Sequence, residues 1–152
     1  MKNSVIIRSA KQKDMDMVIL LSQAHANHEK TDYSLEGKKE KLSSLLFGSK
    51  KTLWCFLAEV DNEIVGYATC NKEPSTWTGE YFMHMDCLYL TETFRGKGVG
   101  KLLIEEIEIL AKKEGCMEVQ WQTPMFNKSA IRFYNKLGAS SKEKLRFYYN
   151  NI

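Results

Sequence analysis

The chain has no Cys-x-x-Cys pair, no apolar run long enough to cross a bilayer, no run of one charge and no low-complexity tract. Each absence removes a class. Cys55, Cys70, Cys87 and Cys116 are widely separated, which argues against a zinc site or dithiol centre and for reduced, buried thiols in a cytoplasmic protein. Apolar runs such as residues 17–21 fall far short of a membrane span, and the N-terminus has no secretory h-region. No membrane partner is expected. A net charge of +3 without a basic stripe gives no reason to expect nucleic-acid binding. Repeats and linkers are missing too, so residues 1–152 read as a single domain. The chain is 43% hydrophobic and 27% charged, which suits a globular protein with a real core.

What is present centres on residues 86–101. An apolar strand ends at Leu90, and after a short polar linker Arg95-Gly96-Lys97-Gly98-Val99-Gly100 opens into an amphipathic helix. Alternate glycines at a helix start let peptide N–H groups approach an anion with no Cβ in the way. Unpaired first-turn amides and the positive end of the helix dipole favour phosphate there. Arg95, Lys97 and Lys101 add positive charge.

Two familiar phosphate loops do not fit. A Walker loop needs Ser or Thr after its lysine, but Leu102 follows Lys101. A dinucleotide fingerprint needs its third glycine one residue later and an early place in the chain. The pattern that does fit is Arg/Gln-x-x-Gly-x-Gly/Ala, and in it the chain resembles the GCN5-related N-acetyltransferases, the GNAT superfamily. Leu88-Tyr89-Leu90 stands at the family's Leu-Tyr-Val position. The run from Asn127 through Ala130 and Tyr134 to Gly138-Ala139 matches the family's second block, Asn-x-x-Ala-x-x-x-Tyr-x-x-x-Gly-Ala/Phe. The second half is most similar to the diamine and spermidine/spermine acetyltransferases.

Local patterning agrees with that family. Residues 4–8 read as a strand. Met15, Val18, Leu21, Ala24/His25 and His28 follow helical spacing, with Asp14 and Asp16 placed to complement the dipole. A second helix is expected over 35–46, stopped at Gly48, with a polar loop over 28–34. Residues 52–60 and 63–71 form a hairpin across Asp61-Asn62. A loop over 73–79 precedes a strand over 81–90. The third helix, 98–113, has Val99, Leu102/Leu103, Ile107 and Leu110 as its core stripe, and Gly115 stops it. A strand over 116–122 follows, then a helix capped by Asn127 with Ala130, Tyr134 and Leu137 on one face, then a strand over 144–149. The order βααβββαβαβ is that of the GNAT fold. The resemblance implies an α/β (α+β) architecture with roughly six to seven strands in a mixed sheet flanked by about four helices.

The resemblance also implies chemistry. In the superfamily two strands splay apart, and the pantetheine arm of acetyl-CoA fills the gap as a strand would. Carried over, Leu88, Tyr89 and Leu90 meet that arm, and an amide near Leu88 polarises the thioester carbonyl. Residues 95–101 (Arg95, Gly96, Lys97, Gly98, Val99, Gly100, Lys101) cradle the pyrophosphate. Tyr134 matches the tyrosine that protonates the departing thiolate, and Asn127 is an N-cap that relatives also turn to the cofactor arm. Asp86 aligns with an acidic strand residue used as base in the spermidine/spermine enzymes. His84 is a rival base, since Phe82, His84 and Asp86 share a face of a regular strand unless a bulge intervenes. Glu29, Asp32 and Glu36 lie where diamine-acetylating relatives carry carboxylates, and Trp77 either walls an acceptor pocket or anchors its loop.

The expected function is transfer of acetyl from acetyl-CoA to a primary amine of a small polyamine-like or amino-acid-like molecule, through a ternary complex and without a metal. Acetylation of a protein amino group or an aminoglycoside is the alternative. A CoA-binding sensor without turnover is the non-enzymatic one. Relatives are often homodimers.

Overall fold

Five residues, Val-Ile-Ile-Arg-Ser, make the first strand, β1 (Val5–Ser9), of the computed structural model, which describes residues 4–151. The chain then takes a short 3-10 turn and enters α1 (Met15–His28). Asp14 occupies that junction. Beyond the dipole-complementing role that its place in the sequence suggests, its side chain is 6% exposed and receives two guanidinium hydrogen bonds from Arg8, at 2.8 and 2.9 Å. The Lys11 amide donates to it at 2.7 Å, and Arg8 also donates to Glu59 of the next strand at 2.7 Å. The guanidinium beside Asp14 holds its carboxyl down at about 2.

The second helix, α2 (Lys38–Phe47), begins later than its apolar pattern suggests. Gly37 is left-handed at φ 62°, so residues 35–36 belong to the turn before it. Strands β2 (Trp54–Val60) and β3 (Glu63–Pro74) form the expected hairpin. Asp61 and Asn62 both take positive φ, 52° and 69°, the geometry that suits a two-residue turn to the strand twist. β4 (Tyr81–Leu90) keeps its expected bounds. α3 (Val99–Lys113) and β5 (Cys116–Gln120) complete a βαβ unit.

The sheet order is β1-β2-β3-β4-β5, antiparallel except for the parallel pair β4–β5. On one face Met15, Val18 and Leu21 of α1 and Leu46 of α2 pack with Cys55, Leu57 and Tyr67. α3 packs along the sheet through Val99, Leu103, Ile104, Ile107 and Ala111, all buried. This corrects the expected stripe: Leu102 is 39% exposed, because the fourfold spacing 99/103/107/111 turns inward. Gly66 of β3 is required by close approach, since a Cβ there would stand 2.3 Å from Leu90 Cδ2 and 2.6 Å from the Tyr89 oxygen.

The described residues divide into two compact units, one running to Gln122 and one from Thr123 onward. The second contains α4 (Lys128–Lys136), capped by Asn127, whose Oδ1 accepts from the Ala130 amide at 3.4 Å. The expected strand over 144–149 is not formed. No strand is assigned over residues 139–151, and Leu145, Phe147, Tyr148 and Tyr149 are 77–87% exposed. Alternation marks a segment that can pair, but only a neighbouring strand makes it one. The mixed α/β class stands, with five strands and four helices described.

Because Asp14 ties the helix start to the sheet, Asp14→Asn should cost about 2–3 kcal/mol, read as a lower urea midpoint. The folded carboxyl titrates below its unfolded value, so its stabilisation is complete above the ordinary carboxylate range. It is lost as pH falls through about 2. Acid unfolding of the variant should therefore lack that component, and an unchanged midpoint would show the pair to be energetically idle.

Candidate active site

A strand inside a sheet uses its peptide groups on both sides, and β4 does so for only part of its length. It pairs with β3 from Tyr81 to Leu90. Its pairing with β5 is limited to Tyr81↔Cys116, Met83↔Val119 and His84↔Gln120, and β5 ends there. Within this unit, residues 85–90 thus have a strand on one side only. Alternate N–H and C=O groups along them face the open side, where an extended amide-bearing molecule can bond. Leu88 and Leu90 keep half-buried side chains, so side chain and backbone do separate work.

The open edge leads into the glycine turn. Gly96 and Gly98 have φ of 71° and 82°, and a Cβ built on either would meet nothing within 4 Å. Backbone conformation, not crowding, demands glycine, and the turn's outer face is clear. Gly98 is the N-cap, and the first intrahelical bond of α3 runs from the Leu102 amide to the Gly98 oxygen at 3.3 Å. The amides of Val99, Gly100 and Lys101 precede it, the arrangement that receives an anion. Arg95 is anchored: its Nε donates to the Leu90 oxygen at 2.9 Å and its guanidinium lies 5.2 Å from the Tyr89 ring centre. Lys101 Nζ lies 3.5 Å from Glu105. Such a turn can take an anion and such an edge an extended amide-bearing chain.

Asp86 interrupts the ladder. Cys87 pairs with Thr69 and Met85 with Cys70, so Asp86 is the extra residue of a bulge and has no partner on β3. Its carboxylate is exposed, and the Cys87 thiol donates to it at 3.8 Å. Burial pushes that thiol up to about 11, so the sulfur stays protonated at neutral pH and is a poor acyl carrier. His84 is held from β3: Nδ1 lies 3.2 Å from Asn71 Oδ1 and 3.4 Å from Glu73 Oε1.

One cluster was not foreseen. His25, read from its spacing as a helix core position, is 8% exposed and polar on both edges. Nδ1 lies 2.9 Å from the Tyr67 hydroxyl, Nε2 lies 3.2 Å from Glu29, and the ring stacks on Tyr89 at 5.3 Å. Burial lowers the imidazole's pKa below its ordinary value, against the pull of Glu29 and Asp86 and with the push of His28. The i,i+4 pair His25/Glu29 is the signal that sequence offers; Tyr67, on β3, is legible only in the fold.

The remaining expected residues are dispersed. Asp32 and Glu36 are exposed on the loop after α1, so of the three acids Glu29 alone joins the His25 cluster that also senses Asp86. Trp77 is 96% exposed, in the loop between β3 and β4, with its ring in solvent. Tyr134 lies on α4 in the second unit, its ring 5.3 Å from that of Phe133, and Asn127 caps the same helix.

A family model described as the acetyltransferase (GNAT) family matches residues 17–139. Thialysine N-epsilon-acetyltransferase of Sus scrofa is 28% identical over 144 residues, covering 90% of this chain and 84% of that protein. The protein of the same name from Caenorhabditis elegans is 31% identical over 118 residues, covering 76% and 72%. Among solved structures, the aminoglycoside N-acetyltransferase AAC(6')-Iy in complex with CoA is similar with a TM-score of 0.84 at 17% identity, covering 100% of this chain and 98% of that one. That likeness shows the fold.

Replacing Gly98 tests the turn. In Gly98→Val a β-branched residue must hold φ near 82° or rearrange the turn, a strain of about 1–2 kcal/mol or more. CoA binding by calorimetry should weaken at least about tenfold, while the melting temperature falls only modestly. Unchanged CoA affinity would remove the turn from the site.

Proposed function

The chain belongs to the GNAT acetyltransferase family and is an acetyl-CoA-dependent N-acetyltransferase; from that premise we propose that its acceptor is a primary amine of a small polyamine-like or amino-acid-like molecule, attacked directly in a ternary complex. The observation that carries this reading is the end of β4–β5 pairing at His84 and Gln120, followed by the open glycine turn. The thialysine-acetylating relatives support the acceptor class. Family membership sets aside the reading as a sensor without turnover.

Acetyl-CoA, when bound, supplies an activated acetyl group; the chain's own residues supply the rest. The open edge of residues 85–90 orients the extended arm, and the amides at the start of α3 hold the diphosphate. Asp86, set outward by the bulge, takes the proton that an ammonium must lose before its nitrogen can attack, directly or through one water. A backbone N–H near Leu88 donates to the carbonyl oxygen as negative charge builds there. The nitrogen–carbon bond forms and the carbon–sulfur bond breaks; the second proton of the nitrogen passes to solvent, and by its match to the family tyrosine Tyr134 is the residue that would give the departing sulfur its proton and regain one from solvent. His84 stays the rival base: with Asn71 Oδ1 and Glu73 Oε1 beside Nδ1, a neutral ring carries its proton there and keeps Nε2 as an acceptor, so the first rank of Asp86 rests on the family resemblance. Glu29 offers a carboxylate to the acceptor's positive charge.

The test is acetyl-CoA-dependent thiol release across a panel of thialysine, lysine, short diamines, spermidine, an aminoglycoside and a basic peptide. The small amino-acid-like or diamine acceptors should show the highest kcat/KM. A clear preference for the aminoglycoside or the peptide would overturn the acceptor class. With the best acceptor, Tyr134→Phe should lower kcat about a hundredfold while CoA affinity stays within about threefold. Asp86→Asn should lower kcat/KM by a similar factor. A larger loss in His84→Gln than in Asp86→Asn would transfer the base role to His84.

A further inference from the structure

His25 spends both ring nitrogens inside the protein. Nε2 faces Glu29 Oε1 at 3.2 Å and Nδ1 faces the Tyr67 hydroxyl at 2.9 Å. A neutral imidazole carries one N–H, and a carboxylate can only accept. The proton therefore sits on Nε2, and the Tyr67 hydroxyl donates to Nδ1. The chain of bonds has a direction: Tyr67, 2% exposed in the middle of the sheet, orients the ring, and the ring orients the carboxylate. Tyr89 closes the face of the ring by stacking at 5.3 Å.

Glu29 is an odd residue to hold this way. It is the C-cap of α1, where the helix dipole disfavours an anion, yet the fold uses a buried histidine to fix it. Its side chain is still 28% exposed, so the carboxylate is oriented without being sealed. Asp86 acts on the same imidazole from β4. The cluster presents the Glu29 carboxylate, oriented and partly open to solvent, which matches an ammonium.

We propose that His25 is a positioning residue for the acceptor: through its Nε2–H, backed by Tyr67, it holds the Glu29 carboxylate in place for a cationic group of the amine substrate. This rests on the reading of Glu29 as an acceptor-side residue.

The test uses the best amine of the panel and paired variants. In His25→Asn the side chain keeps an acceptor toward Tyr67 but no longer reaches Glu29; in His25→Gln an amide N–H reaches the Nε2 position. His25→Asn should raise the acceptor KM about tenfold, the worth of one hydrogen bond to a charged group, with kcat within about twofold and the acetyl-CoA KM unmoved. His25→Gln should bring the KM back to within about threefold of wild type. Glu29→Gln should raise the KM as His25→Asn does, and the double variant should be no worse than either single one. Full additivity in the double variant, or an unchanged KM in His25→Asn, overturns the assignment. If the variants fail to fold, imidazole nitrogen shifts of the wild-type protein decide: a proton on Nε2 is expected, and one on Nδ1 overturns it. A panel without turnover strikes the acceptor reading, whereas turnover with KM values indifferent to His25 strikes this inference alone.

Discussion

Peptide groups that lose a strand partner must find another, and β4 loses one halfway along. Up to His84 it is an interior strand; beyond it, β5 is gone and only β3 remains. The close approach of β3 to β4 there needs Gly66, whose missing Cβ admits Leu90 and the Tyr89 carbonyl. A larger residue at that point would push β4 away from β3 where the site needs it held. The unpaired edge, the glycine turn after it and the start of α3 then follow one another along the chain, so groups able to bond an extended amide arm and an anion stand in sequence.

The helix beside this edge is clamped at both ends by polar contacts instead of by apolar packing alone. At its start, Arg8 ties Asp14 and Glu59 together across three elements. At its end, His25 joins Glu29 to Tyr67 of the sheet. Between the clamps, Met15, Val18 and Leu21 supply the burial. Packing would tolerate small slides of a helix over a sheet; two directional contacts at its ends do not.

Several parts were legible before any coordinates. The hairpin was readable because Asp61-Asn62 suits a turn with two positive φ values, and β4 because its apolar run is bounded by turn signals. The glycine turn was readable because few ligands other than a phosphate need that spacing ahead of a helix. Other parts misled. Asp14 reads only as a dipole-complementing acid because nothing local reveals its partner Arg8. Leu102 looked inward because 102 and 103 are equivalent until the sheet chooses a direction. Residues 144–149 alternate as a strand should, yet pairing is a property of two segments and the sequence describes one.

Sequence by itself determined the elements whose causes are local: helix periods, caps, the two-residue turn and the positive-φ glycines ahead of α3, all set by backbone conformation and near-neighbour contacts. Only tertiary structure decided where β4 and β5 part, that Asp86 is the residue left over in the ladder, and that His25 stands between Glu29 and Tyr67. Those facts depend on register and on side chains separated by up to 42 positions along the chain. Distances of that kind are fixed by the packing of elements against one another, which no local pattern encodes.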